Sequence, residues 1–160
     1  MQDRFRTFTA LINRINRNIR KIKNLEMAEY QLRSAHISCL YYLFMTEGLT
    51  ATDLCEYCEE DKATISRAID YLERNGYLTC EPKTAKRYKS PIILTEKGTA
   101  VGQEVFDKIN LMLSRIGSSL NEEQRTEFYR CLISISADLD NILTICENRG
   151  TLNETDDCII

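Results

Sequence analysis

Two runs of residues combine side chains that can grip a polyanion. The first is Lys62, Ala63, Thr64, Ser66 and Arg67. Lysine and arginine neutralise phosphate, hydroxyls bond phosphate oxygens or base edges, and an alanine methyl can lie against a thymine methyl. The second is Lys83, Lys86, Arg87 and Lys89, between Pro82 and Pro91. That run is suited to phosphate contacts, with Arg87 the one candidate for a narrow minor groove. The net charge of −3 over 160 residues argues against such a role by itself. The distribution answers that objection. Residues 1–25 carry seven basic side chains against Asp3 alone, and residues 61–95 carry seven against four acids. Acid gathers instead in Glu56 to Glu60 and in the tail, so segregated basic surfaces remain for a polyanion.

Other chemistries find less support. Cys55-Glu56-Tyr57-Cys58 has C-x-x-C spacing. A redox dithiol of that spacing belongs at a helix N-terminus, where the dipole lowers the thiol pKa. Here it falls toward a helix end, beside Glu56, Glu59 and Glu60, whose charge raises a thiol pKa. A four-thiolate zinc site needs a second pair, and none is suitably spaced. The seven cysteines, at 39, 55, 58, 80, 131, 146 and 158, are odd in number and irregular in spacing. The start, Met1-Gln2-Asp3-Arg4-Phe5-Arg6, has no apolar stretch resembling an export signal. Reduced thiols in a cytoplasmic protein are therefore expected. His36 is the single histidine, which excludes mechanisms that need two imidazoles. No glycine-rich phosphate loop, paired carboxylates in an apolar setting or nucleophile–base pair is visible. Neither an enzyme nor a cofactor is expected.

The elements that must carry these residues follow from periodicity. Phe5, Phe8, Leu11, Ile12, Ile15, Ile19 and Ile22 form one stripe on a first helix of about 20 residues. The polar stretch Asn24 to Arg33 interrupts it. Ser34 is read as the N-cap of a second helix through Ile37, Leu40, Tyr41 and Phe44 that stops near Gly48. Thr50 caps a short helix, and Asp61 caps the next, with Ile65, Ile69 and Leu72 inward. At 100° per residue this turns Ala63, Arg67, Asp70 and Arg74 outward, flanked by Thr64 and Ser66. Asp70 and Glu73 repel phosphate, so the N-terminal half must make the contacts. Gly76 ends the helix as a left-handed residue. Tyr77–Glu81 and Ile92–Thr95 alternate as a hairpin. Thr95 caps a long helix with Val101, Val105, Ile109, Met112 and Ile116 inward. Asn121 and Gln124 form a capping box for the last helix, which carries Phe128, Leu132, Ile135, Leu139 and Ile142 to about Cys146. Residues 147–160 read as a frayed acidic tail. The apolar run 37–44 is far too short to span a membrane.

The resulting fold is mainly α with a small β-hairpin: a helix-turn-helix, a basic hairpin as wing, and long flanking helices. Leu49 to Gly98 resembles the MarR family of winged-helix regulators. The resemblance rests on Leu49-Thr50-Ala51-Thr52-Asp53-Leu54, Asp61-Lys62-Ala63-Thr64-Ile65-Ser66-Arg67, Leu72-Glu73-Arg74-Asn75-Gly76-Tyr77-Leu78 and Leu94-Thr95-Glu96-Lys97-Gly98. It implies one domain over 1–146, with 1–30 and 98–146 as dimerisation helices and 31–97 as the winged lobe. It also implies a homodimer on a pseudo-palindromic operator in double-stranded DNA, as a repressor released by a ligand or an oxidant. The wing departs from the family pattern: Lys86 and Tyr88 stand where an acid and an arginine are usual, with Arg87 one residue away. The family's ligand cavity lies near His36, so His36 is either a packed, neutral core ring or a ligand contact. Arg14 and Arg17 are candidates to balance a small anionic or aromatic effector. A solvated basic face on a dimer helix is preferred to membrane contact for the first helix. The thiols are read as structural, with sensing through Cys39, Cys55 or Cys58 as the alternative; a winged helix used only for protein contact is another.

Overall fold

Helix starts in this protein are set mostly by side-chain oxygens. The computed structural model describes residues 3–80 and 90–152. In it the Asp3 carboxylate accepts from the Arg6 N–H at 3.1 Å and opens α1, Arg4–Glu26. A single 3₁₀ turn, Ala28–Tyr30, follows and leads to α2, Ser34–Met45. Ser34 is not the cap of α2 but its first, buried residue. The cap position is Arg33, whose N–H donates to His36 Nδ1 at 3.1 Å, so the imidazole takes the role of a capping side chain.

The remaining starts are as expected. Thr50 and Asp53 cap α3, Ala51–Cys58, reciprocally, with bonds of 3.3 and 2.7 Å. Asp61 opens α4, Lys62–Arg74, accepting from the Thr64 N–H at 2.9 Å. At its end Gly76, at φ +73°, donates to the Glu73 carbonyl and Tyr77 N–H to that of Leu72, the paired bonds of a Schellman turn. The chain then enters β1, Leu78–Cys80, antiparallel to β2, Ile92–Leu94, with Leu78 opposite Leu94 and Cys80 opposite Ile92. Leu78 and Ile92 face the core, while Thr79 and Ile93 face out. Ile92 N–H also bonds the Leu49 carbonyl at 2.9 Å, tying the hairpin to the start of α3. Thr95 Oγ1 accepts from Gly98 N–H and opens α5, Glu96–Arg115. Asn121 and Gln124 box the start of α6, Glu122–Leu152, which continues past Cys146 because no proline interrupts it.

The chain divides into two compact units, 1–113 and 114–160. The core of the first joins Leu40 of α2, Leu54 of α3, Ile65 and Leu72 of α4, Leu78 of β1 and Val105 of α5, all fully buried. Met27 and Leu32, in the stretch that reads as polar, are buried there too. Val105, on a helix the family resemblance assigns to dimerisation, thus packs into the lobe's own core. α1 is different: Phe8, Leu11, Ile12, Ile15 and Leu25 are exposed, Leu25 at 75%. In the second unit, α6 leaves Ile133 70% exposed, with Phe128, Leu139, Ile142 and Leu143 exposed beside it in sequence.

Gly98 marks the tightest approach. A Cβ there would lie 1.7 Å from the Tyr77 carbonyl oxygen, a backbone atom that cannot swing aside. Gly98→Ala should therefore cost about 2–4 kcal/mol of stability, read from the urea midpoint. A loss below that of an ordinary surface substitution would mean that α5 and β1 need not approach so closely.

Candidate nucleic-acid interface

The face of α4 opposite Ile65, Ala68, Ile69 and Leu72 is polar and open. Lys62, Ala63, Arg67 and Arg74 are exposed on it, with Thr64 and Ser66 half-buried. The structure thus brings together all five recognition-helix residues expected from the sequence. They are also connected. Thr64 Oγ1 donates to Asp61 at 2.8 Å and accepts from Arg67 Nη2 at 3.2 Å. The Thr64 N–H, and then its hydroxyl, hold the Asp61 carboxyl below its ordinary pKa, so it is ionised. Asp61 thereby orders Thr64, and Thr64 steadies the Arg67 guanidinium at the helix start. Lys83, Lys86, Arg87 and Lys89 lie outside the described residues.

His36 stacks on Tyr71 of α4, ring centroids 4.1 Å apart and planes within 5°. Because Nδ1 accepts the Arg33 N–H, the neutral ring carries its proton on Nε2. Burial, and then the Arg33 charge, lower its pKa. The Tyr71 hydroxyl donates to the Gln31 carbonyl at 3.1 Å, so α4 is pinned to the segment before α2.

A cleft of about 680 Å³ opens here, lined among others by Arg20, Asn24, Arg33, His36, Arg67 and Arg74. Arg14 and Arg17 are exposed on α1 and are not among its lining residues. Arg20 and Asn24, four residues apart on one helix face, take that place. Arg33, at a helix start, carried no signal beyond its charge.

The thiols depart from expectation in one respect. Cys55 is raised, chiefly by burial. Cys58 is lowered despite its acidic neighbours, chiefly because Cys39 of α2 donates a hydrogen bond to it. The Lys23 charge from α1 assists, against burial and Glu60. Sequence spacing ties Cys58 to Cys55; packing ties it to Cys39.

This order of elements, with an exposed basic helix before a hairpin, defines a winged helix-turn-helix protein. Residues 30–87 match the model of the MarR family. An uncharacterized HTH-type transcriptional regulator, YwoH of Bacillus subtilis, is 27% identical over 120 residues, covering 73% of this chain and 84% of that protein. The solved structure of NMB1585, a MarR family regulator from Neisseria meningitidis, aligns with a TM-score of 0.75 at 19% identity, covering 92% of this chain and 99% of that one. MepR of S. aureus, solved as a complex with DNA, aligns with a TM-score of 0.75 at 19% identity, over 82% of this chain and 97% of that one. The family likeness thus lies over the winged lobe, and the solved structures show the fold. Among the described residues no helix is long and apolar enough to cross a membrane.

The neutral His36 ring sets a pH dependence. Folding depresses its pKa, so on acidification the unfolded chain takes up the proton first. The ring's contribution is complete above the ordinary value of 6.5 and is lost as pH falls through the lowered folded value. His36→Gln keeps an acceptor for the Arg33 N–H and removes the titration. Between about pH 7.5 and 5.5, the wild type should lose more stability to urea than this variant. Equal losses would place the ring's titration elsewhere.

Proposed function

We propose that this protein binds double-stranded DNA as a homodimer and represses transcription from a pseudo-palindromic operator. The observation that carries this reading is the N-terminal half of α4. It presents Lys62, Ala63, Thr64, Ser66 and Arg67 on one accessible face, with a helix N-terminus that favours phosphate. Residues 31–97 form the DNA lobe in this reading, and residues 1–30 with 98–146 the dimer, so its place of action is the cytoplasm. Lys83, Lys86, Arg87 and Lys89 act as the wing's phosphate contacts, an assignment resting on sequence. Release comes through a small anionic or aromatic ligand, or an oxidant. In support of the first, the arginine-lined cleft at His36 includes Arg67. An anion seated there competes with DNA for the same guanidinium. Arg14 and Arg17 serve as outlying charges that attract it.

The dimer rests on the exposed apolar side chains of α1 and, separately, of α6. Left open to water, such surfaces exceed what monomers usually tolerate. Sedimentation at micromolar concentration should return twice 18.5 kDa. A stable, folded monomer would remove the architecture.

DNA selected from a random pool supplies the operator for the second test. Arg67→Ala should weaken specific binding by about 1–3 kcal/mol, measured by fluorescence anisotropy. Lys86→Ala and Lys89→Ala should weaken every DNA alike and flatten the salt dependence by about 0.9 in log–log slope for each phosphate no longer neutralised. Arg87→Ala should cost more on operators with A·T-rich flanks. Unchanged affinity in a folded Arg67→Ala protein would show that α4 does not read the operator. Absence of any salt-sensitive DNA binding would leave a winged helix for protein contact.

A further inference from the structure

Four arginines from three parts of the chain border one cleft: Arg20 of α1, Arg33 just before α2, and Arg67 and Arg74 of α4. All four are exposed. Among the described residues that line the cleft there is no aspartate or glutamate. Like charges gathered in this way repel one another and are relieved by a polyanion laid between them. The start of α2 borders the same space through Ser34 and Ala35, its first two residues. Their N–H groups are among those that a helix start leaves without intrahelical partners, and the dipole there favours negative charge. His36 lines the cleft as well, and its Nε2 keeps a proton to donate because Nδ1 is taken by the Arg33 N–H.

The cleft also has a direction. On α4 it is lined by Thr64, Arg67, Tyr71 and Arg74. That stripe, from 64 to 74, is about 15 Å long at 1.5 Å per residue. Lys62, Ala63 and Ser66 are not among the lining residues, so the stripe runs beside the face that carries them. A helix seated in a major groove meets base edges in front and a sugar–phosphate backbone along its flank. Each strand carries one charge per about 3.4 Å of duplex axis, so a basic flank of this length spans several phosphates.

We propose that this cleft seats the DNA backbone beside α4, with Arg20 and Arg33 as phosphate contacts. The proposal rests on the DNA-binding reading above and deepens it: α1, assigned there to the dimer, also touches the duplex. Two of the four guanidinium groups are already oriented. Thr64 Oγ1 holds Arg67 Nη2 at 3.2 Å, and the Asp70 carbonyl holds Arg74 Nε at 3.0 Å. An arginine ordered before binding loses less rotamer freedom on meeting phosphate. Arg20 and Arg33 supply charge from the opposite wall and choose no base. A free anion in the cleft then excludes the backbone itself, besides competing for Arg67.

The test uses the full chain with two duplexes, the selected operator and a mixed-sequence DNA of equal length, across a salt series. Arg20→Ala and Arg33→Ala should each flatten the log–log salt slope by about 0.9, and by the same amount on both duplexes. Each variant's deficit in affinity should shrink about three- to fourfold between roughly 50 and 200 mM salt. Arg20→Lys and Arg33→Lys should restore the slope, since phosphate accepts a point charge. Lys21→Ala removes the same charge from the neighbouring position on α1, outside the cleft, and should leave the slope unchanged. An unaltered urea midpoint shows that each variant is folded. His36 is the single histidine, so its ring Cε1–H resonance reports on the cleft alone. It should move when either duplex is added to the wild type, and move less in Arg20→Ala and Arg33→Ala. Unchanged slopes in folded variants would overturn the proposal. So would a shift of the His36 signal with inorganic pyrophosphate but not with DNA, which would give the cleft to a free phosphorylated ligand. If the wild type bound neither duplex, the preceding reading would fail first and this contact with it.

Discussion

The carbonyl of Tyr77 is where three elements are forced into one geometry. It accepts from the Thr95 N–H at 3.1 Å, and Gly98 lies against it with no side chain. Thr95 Oγ1 donates to the Gly76 carbonyl at 2.7 Å, and Lys97 Nζ to that of Asn75 at 2.8 Å while lying over the Tyr77 ring. These bonds satisfy carbonyls that the end of α4 leaves open. They also fix where α5 starts and where the hairpin leaves the helix. The left-handed turn at Gly76 is what allows the chain to reverse there at all. Without this junction α4 and the hairpin strands would have no defined relation to each other.

The opposite end of α4 is organised by different physics. There the requirement is an exposed, ordered cation, and long side chains resist order because they lose rotamer freedom. Asp61 meets it indirectly. Its carboxylate takes the Thr64 N–H and hydroxyl, and the same hydroxyl oxygen takes Arg67 Nη2. The carboxylate's charge is taken up by the helix cap and partly balanced by the guanidinium it helps to place. Behind this face Ile65, Ala68, Ile69 and Leu72 hold the helix to the core. Side chains at the N-terminal end are therefore presented on a rigid element.

Much of this was legible in the sequence because it is local. Caps at Asp61, Thr95 and Asn121 act over three residues, and the stripe of α4 follows from helical period alone. Gly98 was visible as part of a motif, although its reason, a carbonyl far back in the chain, was not. The segment 27–33 reads as polar, yet Met27 and Leu32 are buried and Tyr30 donates to Glu104 at 2.5 Å. The spacing of Met27 and Leu32 matches neither a helix nor a strand, so only packing reveals them. The cleft is of the same kind: Arg20, Arg33 and Arg67 stand on three elements, and no spacing rule joins them. The thiols show the error such locality produces. Glu56, Glu59 and Glu60 are near Cys58 in sequence, but the groups that decide its charge come from α1 and α2.

α1 therefore does more than present an apolar surface. Lys23 Nζ donates to Ser38 Oγ at 2.9 Å, and at the helix end the Glu26 carbonyl takes Lys108 Nζ of α5 at 2.7 Å. Lys108 also pairs with Glu29 and Glu104, so the last turn of α1 is clamped to α5 by charge as well as by packing. Arg20 and Asn24, on either side of Lys23 in the chain, line the cleft beside α4. α1 is anchored at its C-terminal end and contains neither proline nor glycine, so it has no ready point at which to kink between that anchor and its exposed apolar stripe.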